Sequence, residues 1–142
     1  MPLVRVFHHV SHYSWPSQKR SISSAIYDAM RETINIPEGD NFIVFSAHGE
    51  SDLQIDPNFQ GMNRTRKFLL VQITLSKGRT VEQKQALYAR IAERLFEAAK
   101  IPPDDVMIVL TENSFEDWSF GKGQAQYVLN PPAWARKTEE GN

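Results

Sequence analysis

A shift of 65 positions lays this chain on itself without a gap. Ile36-Pro37-Glu38-Gly39-Asp40 falls on Ile101-Pro102-Pro103-Asp104-Asp105, Gln18-Lys19 on Gln83-Lys84, Ile26 on Ile91, Glu32 on Glu97, and Ile43-Val44 on Ile108-Val109. Nine of the thirty positions from 18 to 47 are identical to their mates. A duplicated unit restricts the fold more than any composition does, because each half must form the same elements and bury its apolar face against the other. The 142 residues are enough for one domain with a sizeable core and too few for two ordinary ones.

Each unit reads as strand, helix, strand. In the first, residues 3–8 are extended, and Ile22, Ile26, Met30 and Ile34 recur at helical spacing over 16–35, with Pro16 suited to a first turn. In the second, 68–75 form a strand, and Leu87, Ile91 and Leu95 stripe a helix opened by the capping-box pattern Thr80-Val81-Glu82-Gln83. Ile-Pro stops both helices, and residues 41–48 and 106–111 are the closing strands. Right-handed crossovers then give an α/β fold: two tandem β-α-β units, a four-stranded sheet and two helices on one face.

The expected layout is a single domain over 1–130, with units at about 2–48 and 67–112 and a tail at 131–142. The tail is expected to lie over a neighbour at Trp134 or to be disordered. Residues 49–67 read as a loop with a short extended piece at 53–55, and 113–123 as a turn and short hairpin. Phe42 and Val44 alternate with Ile43 and Phe45, so large apolar side chains face both sides of one strand. The face without helices therefore points to self-association.

The formal charge of -1 gives no global field for nucleic acid or an acidic membrane. No cysteine is present, so disulfide and thiolate chemistry are excluded. Apolar runs are strand-sized, with no spanning segment or signal peptide, and the expected location is cytoplasmic. His8, His9 and His12 do not make a metal site, because adjacent strand residues point to opposite faces and no carboxylate has ligand spacing to them. Arg64, Arg66 and Lys67 lack the interleaved aromatics of a nucleic-acid surface and read as loop charge or additional substrate-facing charge. Gly121-Lys122-Gly123 lacks the strand-to-helix context of a phosphate loop and reads as a turn.

Chemistry enters at Pro2. A small residue behind the initiator favours methionine removal, and the nitrogen of Pro2 would then be a free secondary amine. An α-amino group titrates near ~7.7–8.0, where burial or a neighbouring charge moves it across neutrality. With Met1 retained, the same nitrogen is an amide with no basicity. The 65-residue shift places Pro2 against Lys67, each at the head of its unit's first strand, which gives Pro2 a defined structural position.

An amino-terminal proline heading two tandem β-α-β units resembles the tautomerase superfamily over residues 2 to about 130. Within it, the chain is similar to the malonate semialdehyde decarboxylase group. The segments that carry the likeness are 36–40, Glu82-Gln83-Lys84, Asp104-Asp105-Val106, Glu112-Asn113-Ser114 and the long run Asp117-Trp118-Ser119-Phe120-Gly121-Lys122-Gly123. The resemblance implies a catalytic amine at Pro2, a carboxylate beside it at Asp40, a basic pair at Lys77 and Arg79 that grips a small oxo acid, and an aromatic wall of Trp118 and Phe120 with Tyr127 nearby. It also implies no metal, no cofactor and a homotrimer. Two departures stand out: Lys77 replaces an arginine, losing the bidentate fork, and Gly78 replaces a proline. Relatives that dehalogenate cis-3-chloroacrylate carry a histidine where this chain has Met30. Glu112 is shared by both groups and does not separate them.

A 3-oxo acid loses carbon dioxide more easily when its carbonyl is polarised, since the developing enolate then has a place for its charge. Asp40 beside Pro2 favours the cation that would polarise it. Lys77 and Arg79 close by favour the neutral amine, a general base for keto–enol interconversion. Three readings follow: decarboxylation or hydration of a small 3-oxo acid, keto–enol tautomerisation of a 2-oxo acid of the phenylpyruvate type, and a non-catalytic binding protein on the same scaffold.

Overall fold

The computed structural model describes residues 1–133 and 135; Trp134 and 136–142, and with them most of the expected tail, lie outside the described residues. The elements are β1 (Leu3–His9), α1 (Pro16–Ile34), β2 (Ile43–His48), β3 (Leu69–Ser76), α2 (Val81–Ala99), β4 (Val106–Asn113) and a short α3 (Gln126–Leu129). The four strands form one sheet in the order β2-β1-β3-β4. β1 pairs parallel to β2, β3 pairs parallel to β4, and the two units meet antiparallel at β1 and β3.

The duplication is visible atom by atom. Both helices have 19 residues, and α2 begins and ends 65 positions after α1. Each closes on a left-handed residue, Asn35 at φ 57° and Lys100 at φ 56°. The next residue's N–H returns to an equivalent carbonyl, Ile36 to Met30 and Ile101 to Leu95. This closure satisfies carbonyls that a helix end leaves open. The helices thus turn off one residue before the expected Ile-Pro, and the proline stiffens a stop already made. At the other end α2 has its capping box: Gln83 N–H donates to Thr80 Oγ1 at 3.1 Å and Thr80 N–H to Gln83 Oε1 at 2.9 Å. In α1 the residue at that position is Trp15, and only the return bond to Gln18 survives, at 3.3 Å.

Ile22, Ile26, Met30, Leu87, Ile91 and Leu95 face Val4, Val6, Leu69, Val71, Ile73 and Leu75 in one fully buried core. Where the units meet, Val6 pairs with its own repeat mate Val71, so the pseudo-twofold axis passes through that pair. Among the described residues the opposite sheet face bears neither α1 nor α2, and Phe42, Val44, Met107 and Val109 are each 39% exposed or more there. Among the described residues, no helix is long and apolar enough to cross a membrane.

The units differ in register. In the first, Val4 pairs with Ile43, and in the second Leu69 pairs with Val106, so β4 lies two residues out of step with β2 (43 − 4 against 106 − 69). A slip of two preserves which side chains face the core, because the strand period is two. It changes what stands at the strand ends. Asp105 falls beside Phe68, whereas Asp40 falls beside Met1.

Two local expectations differ from the structure. Residues 53–55 form no strand; the connection instead contains a turn at Phe59–Gly61 and is tied down by Asp104 and Asp105. In 113–123 the hairpin reduces to a single bridge, Gly121 with Gln124, preceded by a helical turn at Phe115–Asp117. The sequence pattern also missed α3, four residues being too short for an apolar period.

Candidate functional site

The chain's amino end, the head of β2 and the turn after β3 converge. The Met1 ammonium donates a hydrogen bond to the Tyr127 hydroxyl at 2.8 Å and lies 3.9 Å from Asp40 Oδ2. Pro2 is buried directly behind it. Arg79 donates from Nη1 to the Ser76 carbonyl at 3.1 Å, which folds its side chain back over the turn that follows β3. Its guanidinium acts electrostatically on the amine, on Asp40 and on Tyr127. Pro2, Asp40, Arg79 and Tyr127 therefore come together in space, although 126 residues separate the two ends of the Met1–Tyr127 bond.

Burial dominates the electrostatics. It lowers the pKa of the Met1 ammonium; Asp40 works against that shift and Arg79 adds to it. It raises the Asp40 carboxyl, opposed by the ammonium and by Arg79. It pulls Arg79 down, opposed by Tyr127, Asp40 and Glu112, yet a guanidinium stays charged across physiological pH. The Tyr127 hydroxyl is raised by burial and by Asp40. A half-buried amine, one carboxylate and one fixed cation are the parts needed to hold a small anion and to move a proton beside it.

The aromatic wall is continuous. Trp118 stacks on Phe120 with centroids 5.8 Å apart, and Phe120 meets Tyr127 edge-on at 4.7 Å. Phe115 packs on the other side of Tyr127 at 5.4 Å. The Trp118 indole N–H donates to Asn113 Oδ1 at 2.7 Å, so Asn113 fixes the ring. Asn113 was given no role in the sequence reading, although it stands inside the Glu112-Asn113-Ser114 segment. A half-buried tryptophan N–H that needs an acceptor was the available signal.

Lys77 directly follows β3. It is exposed, its N–H is held by the Asn113 carbonyl at 2.8 Å, and it lines a cavity of about 180 Å³ with Ser76, Asn113, Ser114 and Phe115. Glu112 is paired with Lys84. Met30 is fully buried in the core between sheet and helices. The histidines divide as adjacent strand residues must: His8 packs against Tyr13 and Phe45, while His9 pairs in register with His48. Arg64 lies over the Phe68 ring and donates to the Asp104 carbonyl, and Arg66 pairs with Glu50, so these two basic side chains serve the loop.

Residues 40–121 match the family model described as "Tautomerase enzyme". The chain is 39% identical over 109 residues to the probable tautomerase YusQ of Bacillus subtilis (strain 168), covering 77% of this chain and 86% of that protein. The crystal structure of FG41 malonate semialdehyde decarboxylase inhibited by 3-bromopropiolate superposes with a TM-score of 0.84 at 35% identity, over 92% of this chain and 98% of that one. A fused 4-OT asymmetric trimer shares the fold at a TM-score of 0.71 and 20% identity, covering 89% of this chain and 98% of that one.

Proposed function

We propose, from the premise that this chain belongs to the tautomerase enzyme family, that it is a cofactor-independent enzyme in which Pro2, freed by removal of Met1, acts on a small 3-oxo acid. The observation that carries the reading is the convergence of the amino end with Asp40, Arg79 and Tyr127 in one half-buried cluster. Removing Met1 brings the amine one residue inward, to the buried head of β1. Arg79 holds the substrate carboxylate, with Lys77 as a second, more mobile charge. The Pro2 ammonium, favoured by Asp40, donates to the 3-oxo oxygen. The bond between C1 and C2 then breaks, carbon dioxide leaves, and the electron pair becomes an enolate that the ammonium stabilises. Protonation at C2 gives the aldehyde. The likeness to a malonate semialdehyde decarboxylase supports this chemistry, and hydration of a related unsaturated acid would use the same groups.

The second reading is keto–enol tautomerisation of a 2-oxo acid. Burial and Arg79 both lower the pKa of the Met1 ammonium, and a Pro2 amine one residue inward would meet the same neighbours, which favours a neutral base; the relative YusQ is a probable tautomerase. Incubation of the mature protein with 3-oxopropanoate and with phenylenolpyruvate separates the two. Release of carbon dioxide from the first substrate is the expected result. Isomerisation of the second without change of mass, and no carbon dioxide, would reverse the order. Turnover of neither would leave the binding-protein reading.

The assembly in this proposal is a homotrimer. The exposed apolar sheet face supports it, as does the trimeric state of the fused 4-OT relative. Sedimentation at micromolar concentration tests it, and a monomer would contradict it.

A further inference from the structure

The ladder between β1 and β3 pairs Leu3 with Thr74, and two more steps along the same register bring Met1 opposite Ser76. The ladder between β1 and β2 pairs Val4 with Ile43, and three steps back bring Met1 opposite Asp40. The amino end is therefore flanked by Asp40 on one side and Ser76 on the other. Each carries a buried oxygen with no hydrogen-bond partner among the described residues, Oδ1 of Asp40 and Oγ of Ser76. Asp40 has a role in the proposed chemistry, whereas Ser76 has none. Its neighbours in β3 show why its burial is unusual: Leu69, Val71, Ile73 and Leu75 turn to the core, which puts Ser76 on the helix-free face, yet it is only 1% exposed.

A buried hydroxyl without a partner is costly to keep, and such groups in native proteins call for an explanation. Strand sterics do not require one, since alanine or valine would fill the position. Ser76 itself lines the cavity of about 180 Å³ shared with Lys77, Asn113, Ser114 and Phe115, with its hydroxyl buried behind that lining. At ~30 Å³ per water-sized group this space takes roughly six such groups, and a three-carbon oxo acid has about that many non-hydrogen atoms. Ser76 also accepts the Arg79 bond through its carbonyl. Its backbone thus holds one cation of the site, and the residue lines the same cavity as the other, Lys77.

We infer that Ser76 is a substrate-binding residue whose hydroxyl donates to the carboxylate of a small oxo acid lodged between Arg79 and Lys77. The inference rests on the functional reading above and adds a specificity element to it: an anion seated here needs one oxygen within reach of a neutral donor as well as two cations. Lysine, a point charge, holds a carboxylate without fixing its plane, and the serine hydroxyl supplies the missing direction.

The test uses malonate, an unreactive three-carbon dicarboxylate, with binding measured by calorimetry on the mature wild type, Ser76→Ala, Ser76→Thr and Pro2→Ala, alongside turnover of 3-oxopropanoate. Ser76→Ala is expected to weaken malonate at least tenfold and to raise KM similarly with little change in kcat. Its melting temperature should be unchanged or higher, because an unpaired buried hydroxyl has gone. Ser76→Thr should recover most of the affinity. An affinity equal to wild type in Ser76→Ala, or no malonate binding by the wild type, overturns the inference. Pro2→Ala keeps the two ideas apart. If it turns over 3-oxopropanoate normally, the amine chemistry falls while the malonate comparison still decides the role of Ser76.

Discussion

The two halves of the molecule begin from nearly the same instructions and end with different duties. Their helices match in length and in their left-handed C-terminal closure, and each reaches an aspartate by the same Ile-Pro-x-x-Asp pattern. Asp105 is fully buried and accepts from the Thr65 N–H at 2.6 Å and the Thr65 hydroxyl at 2.7 Å, pinning the long connection to the second unit. Asp40 lies two residues further out in register, 3.9 Å from the amino terminus, with one buried oxygen unpaired. The second unit spends its aspartate on holding the fold, and the first leaves its own incompletely bonded where a substrate could complete it. Arg79 and its mate Ser14 divide in the opposite sense, with the cation in the second unit reaching the amine in the first. Unlike residues of two like halves thus meet at the amino end.

Substitutions at matched positions can break or sharpen this contrast. The largest expected effect is at the cation: Arg79→Ala should lower kcat/KM by about 10²–10³, the cost of losing a charge-stabilising donor, whereas Ser14→Ala should leave it unchanged. Next comes the aspartate pair. Asp105→Ala strips two charge-assisted bonds from a closed interior and should cost about 3 kcal/mol or more in urea unfolding. Asp40→Ala should cost no more than about 1 kcal/mol, since burial disfavours its charge in the folded state. Equal losses at the two would dissolve the distinction.

Asp40→Asn should also move the pH dependence of turnover. The carboxylate raises the pKa of the Met1 ammonium and would do the same for a Pro2 amine in the mature chain, so its removal lets the amine lose its proton at lower pH. For a reaction that uses the ammonium, the alkaline limb of the profile moves to lower pH. For one that uses the neutral amine, the acid limb moves that way instead. Asp105→Asn should not shift the profile. The smallest effect is at the helix ends. Lys100→Gly relieves a left-handed residue with a full side chain and should gain about 1 kcal/mol, while Asn35→Gly should gain less, because asparagine tolerates that conformation.

The duplicated units, both helices and the helix-free sheet face could be read from apolar spacing and the 65-residue shift, since burial writes a period into the chain. The two-residue slip between β2 and β4 could not. An even slip leaves every inward and outward position as it was, and only the ladder reveals it. For the same reason Asp40 and Asp105 look equivalent in sequence. Tyr127 was readable as an aromatic of the wall, but its hydroxyl contact with the amino end depends on α3, whose four residues carry no period. Lys77 and Arg79, two positions apart, look like one pair, yet the turn after β3 sends Arg79 toward the amine and leaves Lys77 at the neighbouring cavity.

The most direct test of the amine's role is an intact mass of the natively expressed protein, taken with 3-oxopropanoate turnover by the same preparation and by Pro2→Ala. The expected result is a chain lighter by one methionine, with turnover that the substitution abolishes. A mature chain that keeps Met1, or a Pro2→Ala variant as active as the wild type, would contradict it.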